Sequence, residues 1–211
     1  MNVLVCAAHA DDECLSMGGT IAKLTQAGHN VYCWFYFNGF NCNGVMQYQP
    51  REVAKILGTA EPPFVMRTTI DNEADTIPVL DIARNIEKAI AETEPEIVYM
   101  PSVHDLNIDH RRVAEAALAA TRPVSGSTIH RVLSYEVPCV TNWAFGQFGH
   151  FVPNVYEELD ESNLNKKTHG ARLYGDIAKS YTHAIVSLAE SRGCTSGFRF
   201  AEAFELVWER R

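Results

Sequence analysis

No apolar stretch in the 211-residue chain approaches the roughly 20 residues needed to span a bilayer; the longest are Val3 to Ala8 and Val31 to Phe37. No transmembrane segment is therefore expected. The opening Met1-Asn2-Val3-Leu4 has no basic region ahead of its apolar run, so it does not read as a secretory signal, and a cytoplasmic location is expected. Basic charge is also scarce: Lys+Arg 18 against Asp+Glu 26 gives a net charge of −8. The attraction that drives non-specific nucleic-acid binding would here be repulsion, which argues against a nucleic-acid partner. The six cysteines include no Cys-x-x-Cys pair, so neither a zinc knuckle nor a redox motif is present. Cys14 is the thiol nearest an acidic cluster, and nothing basic beside it would make a thiolate. Gly18-Gly19 is not followed by the rest of a dinucleotide fingerprint, and the turn before it is acidic where a pyrophosphate would sit. With no repeat, low-complexity tract or Pro/Ser linker, residues 1–211 read as a single domain.

What is present is alternation. Val3 to Ala8 is a short apolar run of the kind found in a buried parallel strand. A helix follows, with Ser16 as its candidate cap, Ile21, Leu24 and Ala27 in phase, and Gly28 as its stop. Asn30 to Phe37 reads as a second strand, followed by a Gly/Asn-rich loop and a helix from Arg51 to Leu57. A strand over Phe64 to Arg67, a helix over Val79 to Glu92, a strand over Glu96 to Met100 and a helix over His110 to Thr121 continue the pattern. The fold class this predicts is α/β: a doubly wound, Rossmann-like, mostly parallel sheet with helices on both faces. Beyond Pro123 the pattern changes to a C-terminal elaboration. It holds a strand over Arg131 to Val137, an irregular aromatic stretch over Thr141 to Asn154, and helices over Leu164 to Tyr174 and Ile177 to Arg192. Phe198 to Trp208 fits helix or strand equally.

Two clusters carry chemistry. His9-Ala10-Asp11-Asp12-Glu13 follows the first strand, and His104-Asp105-Leu106-Asn107-Ile108-Asp109-His110 follows the strand EIVYM. In a parallel sheet both emerge at the carboxyl edge, where open α/β sheets bind ligands. That brings His9, Asp11, Asp12, Asp109 and His110 within reach of one ion. Two histidines and a carboxylate with an open position form a recurrent zinc arrangement. Mg²⁺ on Asp11 and Asp12, suited to phosphoryl chemistry, is the rival, and the bland alternative is carboxylates that cap a helix or are merely solvated.

The string AAHADDECLSMGGTIAKLTQAGHNV resembles the N-terminal signature of the PIG-L-like (LmbE-like) zinc-dependent de-N-acetylases, Ala-His-Pro-Asp-Asp-Glu followed by a Gly-Gly helix. The family's second motif, His-x-Asp-His in many members, stands here as Asn107-Ile108-Asp109-His110. Agreement continues through Arg51, Leu57-Gly58, SYEVP and Phe200-Ala201-Glu202-Ala203-Phe204, close to the whole chain. The resemblance implies zinc on His9, Asp12 and His110, with Asp11 as general base. The substrate it implies is a small-molecule N-acetylated amino sugar or glycoconjugate, from which acetate is released.

Two departures stand out. Ala10 replaces the family proline, and Asn107 replaces a histidine that supports the oxyanion or protonates the amine. Asn107 can donate a hydrogen bond but cannot act as an acid. His104 is the candidate substitute, with Asp109 as a carboxylate that orients Asn107 or His110. Arg51 matches a family position beside the sugar cleft, with an exposed helix-start arginine as the plain alternative. Trp143, Phe145, Phe148 and Phe151 are either core or a wall of the cleft, and Glu136 and Glu202 carry no assigned role. Specificity is expected in the loops over Phe37 to Gln49 and Thr141 to Asn154. A metal-dependent phosphoesterase and a non-catalytic sugar-binding relative remain open, and the sequence is compatible with a homo-oligomer without deciding it.

Overall fold

The computed structural model describes residues 1–37, 41–42, 45–46, 50–67 and 73–211, with the side chains of 41–42, 45–46, 50 and 175–180 left aside. In chain order the elements are β1 (Asn2–His9), α1 (Asp12–Gln26), β2 (Asn30–Phe37), β3 (Asn41–Cys42), β4 (Val45–Met46), α2 (Pro50–Leu57) and β5 (Phe64–Arg67). There follow α3 (Val79–Thr93), β6 (Ile97–Pro101), α4 (Ile108–Ala120), β7 (Arg131–Tyr135), β8 (Val155–Leu159), α5 (Glu161–Leu173), α6 (Gly175–Ser196) and β9 (Phe200–Glu209). The main sheet runs β5-β2-β1-β6-β7-β9-β8, while β3 and β4 pair separately. β9 is antiparallel to both its neighbours, and the other pairings in that sheet are parallel.

β1 is apolar on both faces because both are covered. Val3, Val5 and Ala7 join a core formed with Leu15 and Ile21 of α1, Leu57 of α2, Leu164 of α5 and Ile185 of α6. Leu4, Cys6 and Ala8 join a second core with Ile82 and Ile86 of α3 and Val113 and Ala117 of α4. The doubly wound expectation therefore holds. Sequential strands step one way from β1 through β2 to β5 and the other way from β6 to β7, so the order reverses between β1 and β6. A crevice at such a reversal is where α/β sheets place their ligands.

Two local expectations are corrected, and one left open is decided. Ser16 does not cap α1, which starts at Asp12; the carbonyl of Asp11 accepts from the N–H groups of Cys14 and Leu15. α4 begins at Ile108 rather than His110, because Asn107 caps it. The tail is a strand, and buried Glu202 interrupts the apolar alternation that would have revealed it. β8, with two glutamates in VYEEL, carries too weak a pattern to be read from sequence. Among the described residues no helix is long and apolar enough to cross a membrane.

Candidate metal centre

β1 delivers His9 at its last position, and the turn through Ala10 and Asp11 starts α1 at once. The His9 backbone N–H donates to Asp12 Oδ2 at 2.9 Å, which folds the Asp12 carboxylate back over the strand end. β6 supplies the other half. Asn107 Oδ1 accepts from the Asp109 N–H at 2.8 Å, satisfying one of the orphan donors of α4, and His110 falls in that helix's first turn.

The three candidate ligands meet across the strand-order reversal. His9 Nδ1 lies 3.2 Å from His110 Nε2 and 3.6 Å from Asp12 Oδ2, and His110 Nε2 lies 3.3 Å from Asp12 Oδ1. A tetrahedral ion with bonds of about 2.0–2.1 Å sets its ligand atoms roughly 3.3–3.4 Å apart, so the donor set fits. The outward nitrogens lead to the same conclusion. His9 Nε2 is hydrogen-bonded to Asp109 Oδ2 at 3.1 Å, whereas His110 Nδ1 lies 3.2 Å from Asp105 Oδ1, close enough for charge pairing though bent off the hydrogen-bond line. Each neutral ring that directs its N–H outward turns a lone pair inward. Two lone pairs at 3.2 Å repel unless a cation lies between them.

In the metal-free chain that cation is a proton. Burial alone would depress the His110 imidazolium, but the carboxylates of Asp12 and Asp105 outweigh it and push its pKa up to about 9. Burial likewise opposes the charge on Asp12, and the two imidazoles overcome it, holding that carboxyl well below the usual carboxylate range. Glu13 behaves in the opposite way. Burial, with repulsion from Asp11 and Asp12, pushes it up to about 8 despite the hydrogen bond it accepts from the Tyr174 hydroxyl. Of these two acids, Asp12 is held ionised and Glu13 is kept neutral.

The two outer carboxylates divide the imidazoles between them. Asp109, expected to orient Asn107 or His110, instead reaches His9, while its other oxygen accepts from the Ala74 N–H at 3.0 Å. The carboxylate facing His110 is Asp105, fully buried and given no role by the sequence. Its one visible signal is its place within the second cluster.

The other candidates fall into place as follows. The Asp11 carboxyl makes no capping bond to α1, and the residue stays partly exposed at the turn. Asn107 accepts the capping bond through its oxygen. His104 Nδ1 is hydrogen-bonded to the Phe148 carbonyl, beneath Gly149. A Cβ at Gly149 (φ +96) would lie 2.5 Å from that nitrogen. Arg51 is exposed in the first turn of α2, and among the described contacts none joins it to the cluster. The aromatic stretch is not core: Phe145 is 81% exposed, Trp143 46% and Phe148 44%. Arg111 holds this rim from below, its guanidinium 3.9 Å from the Phe148 ring centre. Cys14 is buried, which pushes its thiol up and removes it from the chemistry. Of the loop over Phe37 to Gln49 expected to carry specificity, residues 38–40, 43–44 and 47–49 lie outside the residues described.

A family model described as GlcNAc-PI de-N-acetylase (PIG-L) matches residues 4–121, more than half of the chain. An uncharacterized deacetylase of Escherichia coli K12, YaiS, is 28% identical over 176 residues, covering 78% of this chain and 85% of that protein. Among solved structures, the conserved protein TT1542 from Thermus thermophilus superposes with a TM-score of 0.79 at 18% identity, covering 99% of this chain and 96% of its own. An N,N'-diacetylchitobiose deacetylase from Pyrococcus horikoshii superposes with a TM-score of 0.77 at 18% identity, covering 98% and 83%. At such identities these two likenesses speak for the fold alone.

Proposed function

Because the chain belongs to the PIG-L family, we propose that it is a zinc-dependent hydrolase that removes acetyl from an N-acetylated amino sugar or glycoconjugate. The observation that carries this reading is the convergence of His9 Nδ1, Asp12 and His110 Nε2 at separations of 3.2 to 3.6 Å where the strand order reverses. His9, Asp12 and His110 hold the metal; two imidazoles and one carboxylate suit zinc better than the all-oxygen preference of Mg²⁺. When bound, such an ion supplies Lewis acidity, polarising an amide carbonyl and making water more acidic.

The rest is the work of the protein's own groups. Asp11 stands in the turn between the ligands His9 and Asp12, and its match to the family's general base makes it the group for proton transfer. Asp11 takes the proton of the attacking water and, once protonated, returns it to the departing amine, so that acetate and a free amino sugar result. With oxygen engaged in the helix cap, the Asn107 amide keeps its N–H groups for the developing oxyanion. The exposed Trp143, Phe145 and Phe148 offer apolar faces on which sugar rings or an aglycone stack.

The test is metal content together with acetate release from N-acetylglucosamine and a panel of its conjugates, with and without chelator. One zinc per chain and acetate release abolished by chelator are expected. A chain that takes up no metal overturns the mechanism, and phosphate release without acetate would move the protein to phosphoester chemistry.

A further inference from the structure

Beyond the ligands and the carboxylates behind them lies one more group, a threonine hydroxyl. Asp105 is fully buried, and its oxygens have three separate partners. Oδ1 accepts from the Asn107 N–H at 2.8 Å and faces His110 Nδ1 at 3.2 Å. Oδ2 lies 2.7 Å from Thr141 Oγ1. Thr141 is itself 5% exposed, in a tight turn whose Cys139 has a φ of +67. Its hydroxyl accepts from the Val137 N–H at 2.8 Å, and its own N–H donates back to the Val137 carbonyl at 3.2 Å.

This wiring fixes the direction of the hydroxyl proton. Val137 offers Oγ1 a donor, so the single Thr141 proton goes to Asp105 Oδ2. With both oxygens of Asp105 engaged, the carboxylate plane is set, and with it the direction from which Oδ1 meets the imidazole. We infer that Thr141 is a positioning residue for the metal ligand His110, acting through Asp105. The inference rests on the ligand set proposed above. It also gives the fold a link from rim to centre: Thr141 opens the segment carrying Trp143, Phe145 and Phe148, so the hydroxyl that anchors that rim also holds the metal-facing ring.

Val is nearly the shape of Thr, so Thr141→Val removes the hydroxyl with little change in packing. Asp105 Oδ2 then loses its donor in a site closed to water, and the carboxylate must turn to find another. Loss of groups behind metal-bound histidines weakens metal binding by about 10- to 100-fold. The experiment is a zinc titration against a competing chromophoric chelator on the parent chain, Thr141→Val and Thr141→Ser, with the thermal midpoint of each metal-free chain measured alongside. Zinc affinity is expected to fall at least about tenfold in Thr141→Val and to return to within about twofold of the parent in Thr141→Ser. A role confined to stability would lower the midpoint and leave the affinity of the folded chain unchanged. Should Thr141→Val fail to fold, Thr141→Cys, of similar size and with a weaker donor, replaces it, with an affinity between those of the serine variant and a full loss expected. Parental affinity in Val or Cys overturns the inference while leaving the proposed function standing, as does equal loss in Ser and Val. A parent chain that binds no zinc overturns both.

Discussion

Two clusters of buried charge flank the first half of α1, and they differ in where their lone pairs and protons point. α1 is broken at Met17 (φ −134, ψ 22), and at the break Lys167 and Glu202 complete it from outside. Lys167 Nζ donates to Glu202 Oε1 at 2.5 Å and to the Ser16 carbonyl at 3.0 Å. The Glu202 carboxylate accepts from the N–H groups of Gly19 at 3.0 Å and Thr20 at 2.6 Å. An ammonium thus meets the carbonyl end of one helical piece and a carboxylate meets the amide end of the next, as the helix dipole favours. Gly19 leaves room for this arrangement, since a Cβ there would lie 2.5 Å from Leu159 Cδ1. Every charge in that cluster is answered by a neighbour. At the carboxyl edge, His9, Asp12 and His110 instead turn their donor atoms toward a common point. Burial of charge is common to both; convergence of lone pairs belongs only to the second, and it is the convergence that marks a site.

The sharpest break between the two clusters is chemical. His110→Ala is expected to lose both the metal equivalent and turnover. Asp11→Asn should keep the metal and lose about 10²- to 10⁴-fold in turnover, the range for removing a general base. Metal analysis beside initial rates reads both, and a full equivalent of zinc on His110→Ala would sink the ligand assignment. Lys167→Met should do the reverse. It strands Glu202 as an uncompensated buried charge, at a cost of about 3–5 kcal/mol in a denaturant titration. Zinc per folded chain should be unchanged, and Lys167→Met with Glu202→Gln together should recover part of the stability. If the single variant were as stable as the parent, the break in α1 would not depend on the pair.

The third effect is a pH dependence confined to the metal-free chain. His110 has a folded pKa of about 9 against about 6.5 unfolded, so its contribution is fully present below pH ~6.5 and lost as pH rises through about 9. The upper bound is about 3 kcal/mol. The depressed Asp12 describes the same pair from the other side, its contribution being present above the ordinary carboxylate range and lost in acid. Urea midpoints of chelator-treated protein should therefore fall between about pH 6.5 and 9. Because zinc must displace the His110 proton, uptake at about pH 7.5 should release about one proton, readable by calorimetry in buffers of different ionisation enthalpy. Zinc binding with no proton released would contradict the protonated His110.

The cluster of His9, Asp12 and His110 is legible in sequence because its residues sit at the ends of two apolar runs, and the parallel sheet brings those ends together. The groups behind it are not. Asp105 is visible only as one acid among several, and Thr141 lies 36 residues from it in a stretch with no periodicity. Lys167 and Glu202 are 35 residues apart on α5 and β9, and a buried glutamate looks in sequence like a solvated one. Ser16 misleads because a serine ahead of an apolar helical phase imitates a cap, whereas the turn at Asp11 has already started the helix.

Asn107 gives the smallest expected effect and the finest test of the comparison, because it serves the fold and the site with different atoms. Its oxygen caps α4, so Asn107→Ala should cost about 1 kcal/mol in a urea titration. Serine is an equally good cap but lacks the amide N–H. Asn107→Ser should therefore keep the midpoint within a few tenths of a kcal/mol, roughly the spread among good caps, while kcat falls severalfold and KM stays put. That split would show the amide acting on the reacting group rather than only holding His110 in its helix. A serine variant with parental kcat would assign Asn107 to the cap alone, and the developing oxyanion would then be stabilised without help from the residue that stands in the family histidine's place.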